Sequence, residues 1–172
     1  MKGERDNVIL IGMPGAGKST VGVVLAKRLG FDFIDTDLLI QRRTGRHLQE
    51  IIANEGLESF KKHEEQVLLT LCTHESVIST GGSAVYSQKG MTALKDRGTV
   101  VFLDVPLANL QQRISDMDSR GLVIDPGETL ADLYRQRRPL YLRYADLRIN
   151  TEGLNVEETA TRIAEHWAAL QS

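Results

Sequence analysis

Short, uninterrupted apolar runs alternate along the chain with longer stretches whose apolar residues recur at helical intervals. Val8-Ile9-Leu10-Ile11 has no polar break, as expected of a parallel strand buried on both faces. Residues 12–17 form a glycine-rich turn. Over 18–29 the positions Val21, Val24, Leu25 and Leu29 keep helical spacing, and Gly30 stops that helix. Residues 31–34 predict a second strand. Residues 37–73 read mostly as helix, with a break at Asn54-Glu55-Gly56. A third strand at Val77-Ile78 ends at Gly81-Gly82, a helix covers 88–96, and a fourth strand covers 99–103. Residues 107–114 are helical, 116–127 polar and irregular, 130–144 helical, 147–149 a last strand, and 156–170 a closing amphipathic helix.

Strands alternating with helices predict an α/β three-layer sandwich around a central parallel five-stranded sheet. Ligands of such sheets sit beyond the carboxyl ends of the strands, where Gly12, Asp35, Gly81 and Asp104 fall. With 172 residues and no repeat, low-complexity tract or linker, the chain reads as one domain, 1–172. A net charge of −2 argues against a nucleic-acid partner, which would call for a basic face. The N-terminal apolar run is too short for a signal peptide or a membrane span, and no other stretch reaches spanning length. A single cysteine cannot form an intramolecular disulfide and fits a reducing cytoplasm. Cys72 lies in the run Val67-Leu68-Leu69-Thr70-Leu71-Cys72 and is expected to be buried and inert.

Gly12-Met13-Pro14-Gly15-Ala16-Gly17-Lys18-Ser19 matches G-x-x-x-x-G-K-[ST] at every fixed position. The glycines let successive backbone N–H groups turn towards phosphate oxygens, and the helix that follows aims its positive end at the same anion. Lys18 reaches the outer phosphates and the Ser19 hydroxyl suits Mg²⁺, so ATP with Mg²⁺ is the expected cofactor pair. Thr20 continues the cradle. Asp35-Thr36-Asp37 follows the second strand at the same rim. Two carboxylates there could divide the work, one supporting Mg²⁺ and one taking a proton from an acceptor hydroxyl. The bland alternative is a helix N-cap pair. Arg113, Arg120, Arg137 and Arg138 cluster around the irregular segment and suit a planar grip on carboxylate or phosphate; a charged surface helix is the competing reading. The four histidines show no metal-ligand spacing and read as surface or helix residues.

With those residues laid out, the chain resembles the shikimate kinase family, of the P-loop, nucleoside-monophosphate-kinase-like type, over nearly its full length. The resemblance runs through G-M-P-G-A-G-K-S-T-V-G at 12–22, D-T-D at Asp35 to Asp37, and T-G-R at 44–46. It continues through G-x-x-x-F-x-x-x-E at 56–64, T-G-G at Thr80 to Gly82, and R-x-P-L-Y-x-x-x-A at 137–145. It implies phosphorylation of a shikimate hydroxyl by ATP, in the shikimate pathway of aromatic amino-acid biosynthesis, by a cytoplasmic monomer. The acceptor-binding helical segment would span about 35–64 and a lid about 115–127. Residue by residue, it implies Asp35 supporting Mg²⁺ together with Ser19, and Asp37 contacting the acceptor's hydroxyls. Arg137 would grip the acceptor carboxylate, Arg120 the transferring phosphates, and Arg113 would lie near adenine. Gly81 and Gly82 would line the acceptor pocket. Three positions depart from the family's pattern: Lys61 where an arginine would form a second carboxylate clamp, Ser83 where a third glycine would line the pocket, and Gly121 after Arg120 where proline is usual. Lysine keeps the charge but loses the bidentate fork. The Lys61 and Ser83 changes keep open a kinase for another small hydroxy acid or amino acid, such as homoserine. A nucleotide-binding regulatory protein without turnover is the reading from a different class, and the absence of N-K-x-D argues against a GTPase.

Overall fold

The computed structural model describes residues 5–115 and 127–172. Its elements run β1 (Asn7–Ile11), α1 (Lys18–Leu29), β2 (Asp32–Asp35), α2 (Thr36–Thr44), α3 (Leu48–Glu55), α4 (Leu57–Thr70) and β3 (Ser76–Ser79). After a single 3₁₀ turn at Ala84–Tyr86 come α5 (Gln88–Arg97), β4 (Gly98–Asp104), α6 (Leu107–Ser115), α7 (Leu130–Tyr144), β5 (Leu147–Asn150) and α8 (Val156–Gln171). The strands form one five-stranded sheet in the order β2-β3-β1-β4-β5, and every pairing is parallel. Helices flank it, as the alternating pattern predicts.

The run Val8 to Ile11 is wholly buried at the centre of the sheet, where β1 pairs with both β3 and β4. An unbroken apolar run suits that place because both faces of a central parallel strand are covered. Asn7 opens the strand and is buried too. Its amide donates to the Thr73 and Arg97 carbonyls, both at 2.9 Å, and its oxygen accepts from the Ser76 backbone N–H at 3.0 Å. One side chain thereby ties the starts of β1 and β3 to the end of α5.

The long predicted helix over 37–73 is three helices. The break at Asn54-Glu55-Gly56 is present, with Gly56 at φ 87°. A second break follows α2, where Gly45 adopts the left-handed conformation at φ 68°. These helices pack around a small cluster of their own, Ile40, Ile51, Phe60 and Val67, separate from the main core. Cys72 is exposed, against expectation. The α4 helix ends at Thr70 and Leu71 turns to extended backbone, which carries the thiol off the apolar stripe and into solvent. Helix α7 continues through Pro139 and begins with a capping box of Thr129 and Asp132.

Removing the Asn7 amide leaves two carbonyls and one N–H buried without their partner. Asn7→Ala is therefore expected to cost about 2–4 kcal/mol, measured as a loss of midpoint in urea unfolding with an unchanged slope.

Candidate active site

The turn between β1 and α1 wraps a cradle at the carboxyl ends of the strands. Gly15 and Gly17 hold φ of 81° and 89°, values that a residue with a Cβ adopts only under strain. Gly17 is also the N-cap of α1, and no side chain caps that helix, so its first amides face the cradle. Met13 and Ala16 are buried and anchor the loop on the core, while Ser19 and Thr20 are exposed at its mouth. Lys18 is buried, and its ammonium donates to the Gly12 and Met13 carbonyls, each at 2.8 Å. Burial lowers its pKa to about 8, against the opposing pull of Asp37.

The end of β2 presents the paired carboxylates. Asp35 is an N-cap, accepting from the Asp37 backbone N–H at 2.9 Å, so the capping reading is correct for it. Its other oxygen accepts the Ser19 hydroxyl at 3.1 Å. Having given its proton to Asp35, that hydroxyl accepts from Ser79 at 3.2 Å. Ser19 and Asp35 thus bring a hydroxyl and a carboxylate oxygen together beside the phosphate cradle. Two hard oxygen donors suit a magnesium ion that draws its remaining ligands from phosphate and water. Among the described residues no group of three or more His, Cys, Asp and Glu side chains could hold a metal.

Gly81 and Gly82 close the third side. A Cβ on Gly81 would stand 2.7 Å from Glu64 Oε2 and 2.8 Å from Asp37 Oδ1. On Gly82 it would stand 2.8 Å from Arg137 Nη1 and 2.9 Å from Pro14 Cδ. The strand end therefore threads between the phosphate loop, two carboxyl groups and a guanidinium, with room for backbone alone. The Gly82 carbonyl is fixed by the buried Tyr141 hydroxyl at 2.7 Å, and the Tyr141 ring stacks on Phe102.

Burial raises the Asp37 pKa to about 6, helped by Asp35 and opposed by Lys18. Burial likewise raises Glu64 to about 7, against the hydrogen bond from Ser83. The Ser83 hydroxyl is buried and donates to Glu64 Oε1 at 2.7 Å, so it faces α4. Lys61, Glu64, Ser83 and Tyr86 line a cleft of about 210 Å³. Arg137 is buried on α7 and donates from Nε to the Tyr86 hydroxyl at 3.2 Å.

Arg113 reaches the cradle from α6, donating to the Gly15 carbonyl at 3.0 Å. With Gly15, Thr20, Thr151, Leu154 and Asn155 it lines a second cleft, of about 370 Å³. Arg138 belongs elsewhere: it pairs with the buried carboxylate of Asp104, which Arg148 also contacts, so it helps hold the end of β4. Arg120, Gly121 and the proposed lid from 116 to 126 lie outside the described residues.

The shikimate kinase family model matches residues 14–168. The chain belongs to the shikimate kinase family. It is 38% identical over 166 residues to shikimate kinase of Histophilus somni, covering 94% of this chain and 95% of the relative. Among solved structures, shikimate kinase from Acinetobacter baumannii in complex with shikimate superposes with a TM-score of 0.89 at 34% identity, covering 96% of this chain and 94% of that one. Shikimate kinase from Aquifex aeolicus gives 0.83 at 32%, covering 96% and 98%. The family fixes the reaction class as phosphotransfer from ATP to a hydroxyl group.

Glu64 and Tyr141 stand in the sequence as fixed positions of the G-x-x-x-F-x-x-x-E and R-x-P-L-Y-x-x-x-A patterns, with no role attached, whereas Tyr86 and the segment 151–155 belong to no motif. These last reach the site through the chain's return from distant elements, which local spacing does not report.

The Glu64 shift has a consequence for stability. A carboxyl whose folded pKa lies above its ordinary value favours the fold at low pH, and that contribution is lost as pH rises from about 4.5 to about 7. Glu64→Gln keeps an oxygen for Ser83 and removes the buried charge. It is expected to stabilise the protein by about 1–3 kcal/mol at pH 8, with the difference shrinking towards pH 5; thermal melts at both values decide it.

Proposed function

We propose that the chain transfers the γ-phosphoryl group of ATP to a hydroxyl of shikimate, with the nucleotide in the cradle of Gly12 to Thr20 and the acceptor against Gly81-Gly82. The observation that carries this reading is the threading of Gly81-Gly82 between the phosphate loop on one side and Asp37, Glu64 and Arg137 on the other. It sets phosphate-binding amides and acceptor-binding side chains one backbone apart. Support for the acceptor comes from the Acinetobacter baumannii relative, whose structure is a complex with shikimate.

In this reading the base end of the nucleotide occupies the cleft of Arg113, Thr151 and Asn155, and its phosphates lie on the loop amides. Lys18 leaves the Gly12 and Met13 carbonyls for the outer phosphate oxygens, exchanging two neutral acceptors for an anion. Ser19 and Asp35 hold Mg²⁺, which offsets charge on the phosphate oxygens. Asp37 orients the acceptor hydroxyl and takes its proton; a carboxylate with pKa about 6 is ionised at neutral pH yet more basic than an ordinary aspartate. Lys61 and Arg137 hold the acceptor carboxylate, and Ser83 completes the wall behind it. Arg120, as the resemblance implies, meets the transferring group. A cytoplasmic location and a monomeric state belong to this reading on composition and family likeness alone.

A coupled assay of ADP release, run over a panel of shikimate, homoserine and other small hydroxy acids, tests the proposal. Release is expected with shikimate and Mg²⁺ and at background without acceptor. Asp37→Asn should lower kcat by about 10²-fold or more, and wild-type kcat/KM should fall as pH drops below about 6. Turnover with another acceptor in preference, or acceptor-independent ADP release, overturns it.

A further inference from the structure

Tyr86 stands in the 3₁₀ turn after Gly81-Gly82-Ser83, on the cleft that Lys61, Glu64 and Ser83 also line. Two cations rest against its ring. The Lys61 ammonium lies 4.9 Å from the ring centroid and the Arg137 guanidinium 5.3 Å. The Tyr86 hydroxyl also accepts from Arg137 Nε at 3.2 Å and donates to Gln136 at 3.3 Å. An electron-rich ring offsets part of the repulsion between two like charges brought to one place, and it attracts each of them singly.

Lys61 has its ion pair with Glu58 at 3.5 Å, whose side chain is 87% exposed, and such a pair is weak and screened. The buried Glu64 carboxyl accepts the Ser83 hydroxyl at Oε1. Lysine also lacks the planar fork that would fix its own direction on a carboxylate. The Tyr86 ring, 4.9 Å away, is a neighbour that can orient it.

We infer that Tyr86 is a positioning residue for acceptor recognition, an aromatic platform that holds the Lys61 ammonium and the Arg137 guanidinium together as a two-cation receptor for the acceptor's carboxylate. The inference rests on the proposed roles of Lys61 and Arg137. Tyr86 lines the cleft of Lys61, Glu64 and Ser83 and not the cleft beside the phosphate cradle, so its contribution falls on acceptor binding and not on transfer.

Steady-state kinetics on Tyr86→Leu and Tyr86→Phe test this, with ATP and shikimate varied separately. The leucine variant should raise KM for shikimate about tenfold, leave KM for ATP unchanged and change kcat by less than about threefold. The phenylalanine variant keeps the ring and should recover most of the lost affinity. A double-mutant cycle with Lys61→Met adds a readout that packing alone would not move. If Tyr86 acts through Lys61, the double variant's KM falls short of the product of the two single effects by a factor of about three or more. Multiplicative effects, or a leucine variant with wild-type KM for shikimate, overturn the inference. A wild-type enzyme that does not turn shikimate over sinks the proposed function instead, so the two failures are distinguishable. Tyr86 is partly exposed, and circular dichroism confirms that each variant is folded before its constants are compared.

Discussion

Two residues without side chains, Gly81 and Gly82, form the joint on which the site depends. They follow β3 at the carboxyl edge of the sheet, and groups from four other elements close on them. Pro14 comes from the phosphate loop, Asp37 from α2, Glu64 from α4 and Arg137 from α7. Any added carbon would meet a carboxyl oxygen or a guanidinium nitrogen below 3 Å. The joint is held from behind by the Tyr141 hydroxyl on the Gly82 carbonyl, and that tyrosine is itself locked by stacking on Phe102. Phosphate-binding and acceptor-binding halves are thereby brought within reach by close packing of the backbone, a constraint stiffer than any surface contact could supply.

That closeness has an electrostatic cost. Lys18, Asp37, Glu64 and Arg137 are packed where water is scarce, and burial displaces the pKa of Lys18 downward and those of Asp37 and Glu64 upward. The four groups offset one another only in part. A site arranged for chemistry is commonly less stable than the same fold with neutral groups there. The rest of the molecule compensates through a fully buried β1, the triple hydrogen bond of Asn7 and the Asp104 ion pairs at the end of β4.

Most of the fold could be read from the chain because its central strands are continuous apolar runs and its helices keep clean spacing. The five parallel strands and the helix that continues through Pro139 were all legible. The three-helix segment was read as one broken helix because Gly45 gives no more signal in sequence than any helix glycine, and only its left-handed backbone marks a stop. Cys72 misled for a related reason: an apolar run suggests burial, but the helix carrying it ends two residues earlier. Within the site, the cradle and the paired aspartates were visible as motifs. The Ser83–Glu64 bond and the Tyr86 ring between two cations were not, because they join residues 19 to 51 positions apart through the packing of α4, the 3₁₀ turn and α7.

The two halves of the site meet across Gly81. Gly81→Ala, measured for ADP binding by calorimetry and for shikimate turnover in the same preparation, separates the halves. The added methyl should leave ADP affinity within about threefold while turnover falls by about 100-fold or more, because Asp37 and Glu64 must move aside from the acceptor. Turnover within a few-fold of the unaltered protein, with ADP still bound, would contradict it.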